Sequence, residues 1–353
     1  MPAPITNASA LNNKTILAQA AAEYINGNQF RPFMGEAATN IIQMVMNTEK
    51  GAGDTIHIPF LDALDPAAAR TGAQQVEGNE EDLVLASDSV TVDYIRHATK
   101  VEQHKMVDVR TPVRLLEQVR PMLADVAASR LRNDIIDACN VTATPNRTRA
   151  LFGAVDTNFN ATFATALANV DGTADKLSVD MIRLAKMKAQ NIASGSAGVL
   201  SRKIRPFKMK MANGAISQMY VMFVDSVAAI HLQKETEFKE LRDSDRLNEL
   251  SAPYFDGSKY LGMVAGVLLY EIEELNRIES AAGGAGSTRV AHNLLCGAQA
   301  VAVGVADLGY FADETFDYGH HKGVCYAIIR GTKMLQWGGV ETGVVHVWSH
   351  GVL

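Results

Sequence analysis

Thr111-Pro112-Val113-Arg114-Leu115-Leu116-Glu117-Gln118-Val119-Arg120-Pro121-Met122-Leu123-Ala124-Asp125-Val126-Ala127-Ala128-Ser129-Arg130-Leu131 is the stretch on which the fold turns. It opens with a hydroxyl that can accept hydrogen bonds from free N–H groups of a first helical turn. A proline follows at the first helical position, where a missing N–H does no harm. Leu115, Leu116, Val119, Leu123, Val126, Ala127, Leu131 and Ile135 then keep one helical stripe for roughly seven turns counted from Thr111. Pro121 sits inside the stripe and should kink or restart the helix, because it has no N–H to donate. Arg114, Arg120, Arg130 and Arg132 lie mainly off the stripe and should be solvated.

Upstream, residues 54–60 alternate, with Ile56, Ile58 and Phe60 on one side, which predicts a strand. Residues 89–101 form a second extended run, with Val90, Val92 and Tyr94 on one face. Between them lies an Ala-, Gly- and Gln-rich segment punctuated by Pro66, Gly72 and Gly78. Two strands joined this way make a long hairpin-like arm. A connection of that length is usually functional or an interaction element, the alternative being a surface loop of no consequence. Residues 1–50 are mostly helical in propensity, with Leu17, Ala20, Ala21 and Tyr24 as one stripe and Ile41, Ile42, Val45 and Met46 as another. Gly51-Ala52-Gly53 ends that pattern.

Downstream, residues 140–175 are polar and weakly periodic, so they read as loop. Residues 177–192 form an amphipathic helix with Ser178 as its cap. Residues 202–211 and 215–224 read as a β-hairpin around Asn213-Gly214, a pair suited to the positive φ of a tight turn. A helix over 226–239 and a buried strand over 263–270 follow. Residues 283–287 are a flexible loop, 294–305 are apolar and buried, and 323–329 and 343–347 are strands. No internal repeat is present.

Of the 353 residues 47% are apolar and 20% charged, a globular composition with room for two cores or one extended one. The longest apolar stretches, 217–224 and 262–270, fall short of the ~20 residues that span a bilayer. No basic region precedes an apolar run at the N-terminus, which argues against a signal peptide. Cys139, Cys296 and Cys325 are widely spaced and odd in number, a pattern of reduced thiols made and kept inside a cell. Between residues 61 and 88 stand seven acids (Asp62, Asp65, Glu77, Glu80, Glu81, Asp82, Asp88) against Arg70, which equals the whole net charge of −6. Residues 181–224 hold eight bases (Arg183, Lys186, Lys188, Arg202, Lys203, Arg205, Lys208, Lys210) and no acid. Such a chain can attract copies of itself head to tail, unless the two blocks are solvated faces that never meet.

Catalytic chemistry leaves no trace. The glycines of 283–287 lack the Lys-Ser/Thr end of a phosphate loop. His320 and His321 are neighbours, so in a strand their rings would point to opposite faces and could not share a metal. No HExxH motif, Cys/His ligand spacing or nucleophile elbow occurs. His57, His97, His104, His231, His292, His346 and His350 are scattered and expected at the surface or satisfied in a core. No catalytic, cofactor-binding or metal-binding residue is assigned, and neither metal nor organic cofactor is expected.

The order of parts, an arm at 1–50, an extended two-stranded loop at 51–107, a long helix at 111–139 and then a mixed α/β region, resembles the major capsid proteins of tailed phages with the Hong Kong 97-like fold. The resemblance is carried by Met219-Tyr220-Val221-Met222-Phe223 leading into Asp225-Ser226, by the glycine-flanked run from Gly262 to Glu271, and by Asn293-Leu294-Leu295-Cys296-Gly297-Ala298-Gln299-Ala300. Phe316-Asp317-Tyr318-Gly319, Gly331-Thr332-Lys333 and Gly343-Val344-Val345 complete it. It covers the chain from about residue 50 to the end, and the subfamily of podoviruses with a giant virion polymerase is the nearest in kind.

The resemblance implies an α+β fold with N-terminal arm, extended loop, spine helix, and peripheral and axial domains. The divisions expected are 1–50 for the arm, 51–107 for the extended loop, 108–200 for the spine helix and first part of the peripheral domain, 201–310 mainly for the axial domain, and 311–353 for closing peripheral strands. It implies self-assembly into an icosahedral shell around a double-stranded DNA genome, made in the bacterial host cytoplasm. The partners would be copies of the chain in hexamers and pentamers, with portal, scaffolding and decoration proteins as further candidates. DNA would be met only by non-specific proximity, and no membrane is involved. Because the sequence begins at Met1, removal of an N-terminal scaffold segment is not expected; Lys100 and Lys105 fall in the loop, but no motif marks either as a cross-linking lysine. Glu77, Glu80, Glu81 and Asp82 on the acidic side, and Arg202, Lys203, Arg205, Lys208 and Lys210 on the basic side, are the expected inter-subunit contacts. An encapsulin-like compartment shell, a motif-free soluble enzyme and a nucleic-acid-binding module are the other readings. The last rests on the basic block, which has only Phe207 to stack on bases.

Overall fold

The structure is a computed structural model. It describes residues 29–46, 55–61, 71–72, 75–77, 80, 85–101, 115–140, 146–170, 172, 174–190, 203–210, 216–247, 259–273, 275, 277–279 and 289–352.

In chain order the strands are β1 (Met34–Gly35), β2 (Ile42–Met46), β3 (Thr55–Leu61), β4 (Leu85–Thr91), β5 (Asp93–Val101), β6 (Ala150–Phe152), β7 (Phe207–Lys210) and β8 (Ile216–Asp225). They continue with β9 (Tyr260–Val264), β10 (Val267–Ile272), β11 (Arg277–Glu279), β12 (Arg289–Cys296), β13 (Val301–Phe316), β14 (His321–Met334), β15 (Gln336–Trp337), β16 (Val340–Glu341) and β17 (Val344–His350). The helices are α1 (Leu115–Ala138), α2 (Phe163–Ala168), α3 (Val179–Ala189), α4 (Ser226–Lys234) and α5 (Thr236–Leu247).

An eight-stranded sheet runs β6-β17-β12-β8-β10-β9, with β11 on β12 and β7 on β8. A five-stranded sheet runs β1-β2-β13-β14-β5, and β3 and β4 pair as a separate ribbon. The eight-stranded sheet is covered on both faces, which suits its near-continuous apolar strands. On one face Met222, Leu269, Leu295 and Val345 meet Ile182 and Ala185 of α3 and Ala229 and Leu232 of α4. On the other, Val221, Phe223, Leu294 and Cys296 meet Phe30, Phe33, Ile41, Val301 and the end of α1.

The long helix forms as expected and ties the sheets together. Val119, Leu123 and Ala127 of α1 pack on Val324, Tyr326 and Ile328 of β14, while Leu131, Ile135 and Ile136 enter the core shared with the eight-stranded sheet. Pro121 lies within a continuous helix rather than restarting it, and Val126, counted in the stripe, is exposed. Thr111 and Pro112 lie outside the described residues.

Ser178 caps α3, its Oγ accepting from the Met181 N–H at 3.4 Å. The β7–β8 hairpin pairs Phe207 with Met219 through Lys210 with Ile216; its Asn213-Gly214 turn lies outside the described residues, as does the 283–287 loop.

Five expectations need correction. Ile41, Ile42, Val45 and Met46 belong to no helix: residues 42–46 form β2, parallel to β13, because a short β-branched run fits strand or helix until a neighbour chooses. The run 89–101 is two strands, breaking at Val92 where the chain leaves the β3–β4 ribbon for the five-stranded sheet, so Val90 is buried and Tyr94 exposed. The helix over 226–239 is two helices that part at Glu235, an extended residue. The strand over 263–270 is the β9–β10 hairpin, with Ala265 and Gly266 at φ +51° and +76° as its two-residue turn. Within 140–175, β6 and α2 form: Phe152 and Phe163 pack around Trp348, and their burial outweighs the weak local pattern.

Candidate functional site

The arm is the β3–β4 ribbon, in register from Thr55 opposite Thr91 to Leu61 opposite Leu85. Its inward residues anchor it: Ile58, Phe60 and Val90 pack on Ala302 and Leu335, with Phe60 and Trp337 5.8 Å apart between ring centres. Gly331 is needed there, since a Cβ would stand 1.9 Å from the Thr91 carbonyl oxygen.

Asp88, one of the seven acids of the segment, turns inward. Its carboxylate receives Lys333 Nζ at 2.5 Å, the Gln336 N–H at 3.0 Å and the Ser89 N–H at 2.8 Å. Partial burial raises its pKa, but Lys333 and the two backbone donors together outweigh that and hold the carboxyl below its ordinary value. Asp88 is therefore part of the arm's root and not of its acidic surface. Of the proposed contact acids, Glu77 and Glu80 are exposed, beside the exposed Val76. Glu81 and Asp82 lie outside the described residues.

The basic block divides. Arg183 pairs with Asp180 at 2.9 Å and with Glu237 at 2.6 Å. Lys186 donates to the Ala265 carbonyl. Lys188 is buried, donating to Asp156 at 2.5 Å and to the Arg147 carbonyl at 2.8 Å. These three cations serve the subunit's own α3. Lys203, Arg205 and Lys208 are exposed on and before β7, while Arg202 and the Lys210 side chain lie outside the described residues. Two helix arginines expected in solvent are likewise engaged, Arg120 with Asp313 at 2.9 Å and Arg130 with Asp134 at 2.8 Å.

Sequence reasoning missed several buried polar groups. Arg330 of β14, almost fully buried, meets Asp134 of α1 at 2.6 Å and stitches the helix to the sheet. Buried Arg149 donates from Nε to the Glu341 carbonyl at 3.1 Å, and burial pushes the Glu341 carboxyl up. His292 and His346 share a 2.9 Å hydrogen bond, and the His292 ring lies flat on Trp348 at 3.8 Å. Burial lowers both imidazoles, His346 to about 4; His346 adds to the effect on His292. The alternation His346-Val347-Trp348-Ser349-His350 was the available signal, since period two in a strand places the three rings on one side. Cys139 and Cys296 are buried thiols, Cys139 pushed up to about 12 by desolvation. His320 and His321 do not diverge: a 3-10 turn ends at Gly319, just before β14 begins, and their rings stand 4.8 Å apart, edge to face. Among the described residues no three His, Cys, Asp or Glu side chains cluster as metal ligands.

Two sheets are joined by one long helix, with a ribbon rooted on one of them and exposed acids and bases on the same chain. The chain belongs to the phage capsid protein family, which it matches over residues 5–353. Its fold is similar to the capsid of Ralstonia phage GP4, with TM-score 0.75, 22% identity and 92% of each chain covered. It is similar too to the cyanophage Pam1 capsid, with TM-score 0.73, 24% identity and 93% of each chain covered. The acid-stable capsid of Helicobacter pylori bacteriophage KHP30 gives TM-score 0.69 at 15% identity, covering 92% of this chain and 90% of that one. No curated protein matches in sequence. The protein is a structural component of the phage capsid shell.

Proposed function

We propose that the chain is the major capsid protein of a tailed phage, assembling as hexamers and pentamers into an icosahedral shell around double-stranded DNA. The family match across nearly the whole chain carries this reading. Assembly takes place in the host cytoplasm, and a podovirus with a giant virion polymerase is the proposed kind of phage. Portal, scaffolding and decoration proteins are its proposed further partners.

In Hong Kong 97-like terms, the five-stranded sheet with α1 is the peripheral domain, and the eight-stranded sheet with α3, α4 and α5 is the axial domain. This grouping differs from the division by sequence in several places: β2 and β5 join the peripheral sheet, and β17 pairs with β12 and β6, so residues 344–350 and 150–152 go with the axial domain. Residues 174–190, with α3, go there as well.

The arm crosses to a neighbouring subunit, where Glu77, Glu80, Glu81 and Asp82 meet Arg202, Lys203, Arg205, Lys208 and Lys210. A segment carrying so many carboxylates cannot enter its own apolar core, because unpaired buried charge is too costly. Each exposed pair contributes only ~0.2–1 kcal/mol, but the contact repeats at every subunit.

Electron microscopy of the purified protein tests the reading: closed shells, rings or tubes are expected, and a uniform small particle would sink it. Replacing Glu77, Glu80, Glu81 and Asp82 together by Ser or Asn should leave a folded subunit that assembles poorly. High salt should slow early assembly of the parent, since the screening length falls to ~3 Å at 1 M. Normal shells at normal rates from the quadruple variant would refute the arm's role.

A further inference from the structure

The five-stranded sheet has one face against α1, marked by Val324, Tyr326 and Ile328 of β14. Register puts Tyr94 and Arg96 of β5, opposite Ile329 and Ala327, on the other face, with Tyr310 of β13 also opposite Ala327. The β3–β4 ribbon covers that face at one end, over Gly304 and Gly331, while Tyr94 and Tyr310 farther along it stay exposed. An uncovered face of an antiparallel sheet normally alternates to polar residues. Here Tyr94 and Tyr310 stand exposed and share a 2.5 Å hydroxyl hydrogen bond, with the Arg96 guanidinium 5.0 Å from the centre of the Tyr94 ring. Phe316, also exposed, lies against Gly323 of the same face.

At the hairpin tip Asp317 and Tyr318 both hold positive φ, +51° and +49°, and Tyr318 is fully exposed. The pair forms the turn that closes the β13–β14 hairpin, where the His320 N–H donates to the Asp317 carbonyl, and it carries the Tyr318 ring out into solvent. Among the described residues these four rings are the only exposed aromatics; the other exposed large apolar side chains are aliphatic and scattered over other elements. Rigid aromatic side chains with a polar handle are what buried protein contacts are enriched in.

We infer that the aromatic row Tyr94–Tyr310–Phe316 with the Tyr318 tip is a subunit–subunit contact, occupied in the shell by a second copy of this chain. The inference rests on the capsid reading, which surrounds each subunit with copies of itself. Charge favours protein over nucleic acid as occupant: the face carries Arg96 and Lys100 against Asp307 and Glu314, too little positive charge to track a phosphate backbone.

Hydroxyl-radical footprinting of free subunits and of assembled wild-type shells tests it. Modification of Tyr94, Tyr310 and Tyr318 should fall about fivefold or more on assembly, as expected for rings buried at the centre of a contact. Changing the three tyrosines together to serine should leave the melting temperature of the free subunit near the parent's. The concentration needed for assembly should rise about tenfold or more. Shells whose tyrosines stay as reactive as in free subunits overturn this inference alone, as does parent-like assembly of the folded triple variant. A wild-type protein that forms no shells overturns the capsid reading and this inference with it.

Discussion

The eight-stranded sheet is sealed on both faces, by α3, α4 and α5 on one side and by Phe30, Phe33 and the end of α1 on the other. The five-stranded sheet has α1 on one face; on the other, the arm covers one end and aromatics stand in the open toward the other. Strand composition is part of the contrast: β10, β12 and β17 are nearly continuous apolar runs, whereas β5 and the far end of β13 carry several charged residues. What also differs is where the covering atoms come from. One sheet finds them within its own chain, partly from β2 and β13; the other keeps part of a face exposed. α1 belongs to both, which is how a contact made at the open sheet can be felt in the closed one.

The largest effect should come from breaking the shared core. Leu131→Asp places a carboxylate where the side chain is fully buried among residues of both sheets, and should cost several kcal/mol of a stability of ~5–15 kcal/mol. Soluble yield and thermal melting check it. Leu123→Asp, buried only between α1 and the five-stranded sheet, should cost less, and equal losses would mean that the two sheets melt as one unit.

Next is the seam. Asp134→Ala leaves the buried Arg330 without its carboxylate and should cost about 3 kcal/mol, because an unpaired buried charge is worse than none. The double change Asp134→Ala with Arg330→Met should recover most of that loss in chemical denaturation. Failure to recover would show that the pair also fixes the packing of α1.

Acid should act on the closed sheet. His292 and His346 have folded pKa values below the unfolded ~6.5, so the folded state binds fewer protons there than the unfolded chain. Their contribution is complete above pH ~6.5 and is lost as pH falls toward about 4, the folded value of His346. The loss should reach on the order of 2–3 kcal/mol. Melting temperature measured from pH 7 to pH 4 should fall in the parent and fall less in His346→Gln; parallel curves would rule the pair out as the cause.

The smallest effect belongs to the arm's root. Lys333→Met removes a half-exposed partner of Asp88 and should cost about 1 kcal/mol at neutral pH. Asp88 has a lowered folded pKa, so its share is present above the ordinary value of 3.8 and disappears as pH drops below it. Hydrogen exchange across residues 85–91 should quicken in this variant while β12 and β17 stay protected. Equal protection everywhere would mean that the apolar anchor of Ile58, Phe60 and Val90 holds the ribbon unaided.

The sequence by itself determined the elements whose signals are local and long. The stripe of Val119, Leu123, Ala127, Leu131 and Ile135, the alternation of Ile56, Ile58 and Phe60 and the Ser178 cap form as read, because spacing and capping act within one element. The hairpin read over 202–211 and 215–224 forms with a first strand of only 207–210. The charge blocks were equally visible. Tertiary structure alone decided which members of those blocks are spent inside the subunit, because an ion pair such as Lys188–Asp156 or Lys333–Asp88 depends on residues far apart in sequence. It likewise made a strand of residues 42–46 by offering β13 as a partner, turned 263–270 into a hairpin at Ala265-Gly266, and gathered His292, His346 and Trp348 into one stack. A short apolar run or a lone ring carries no information about its partner; that is supplied only when the chain closes on itself and one set of neighbours excludes water better than any other.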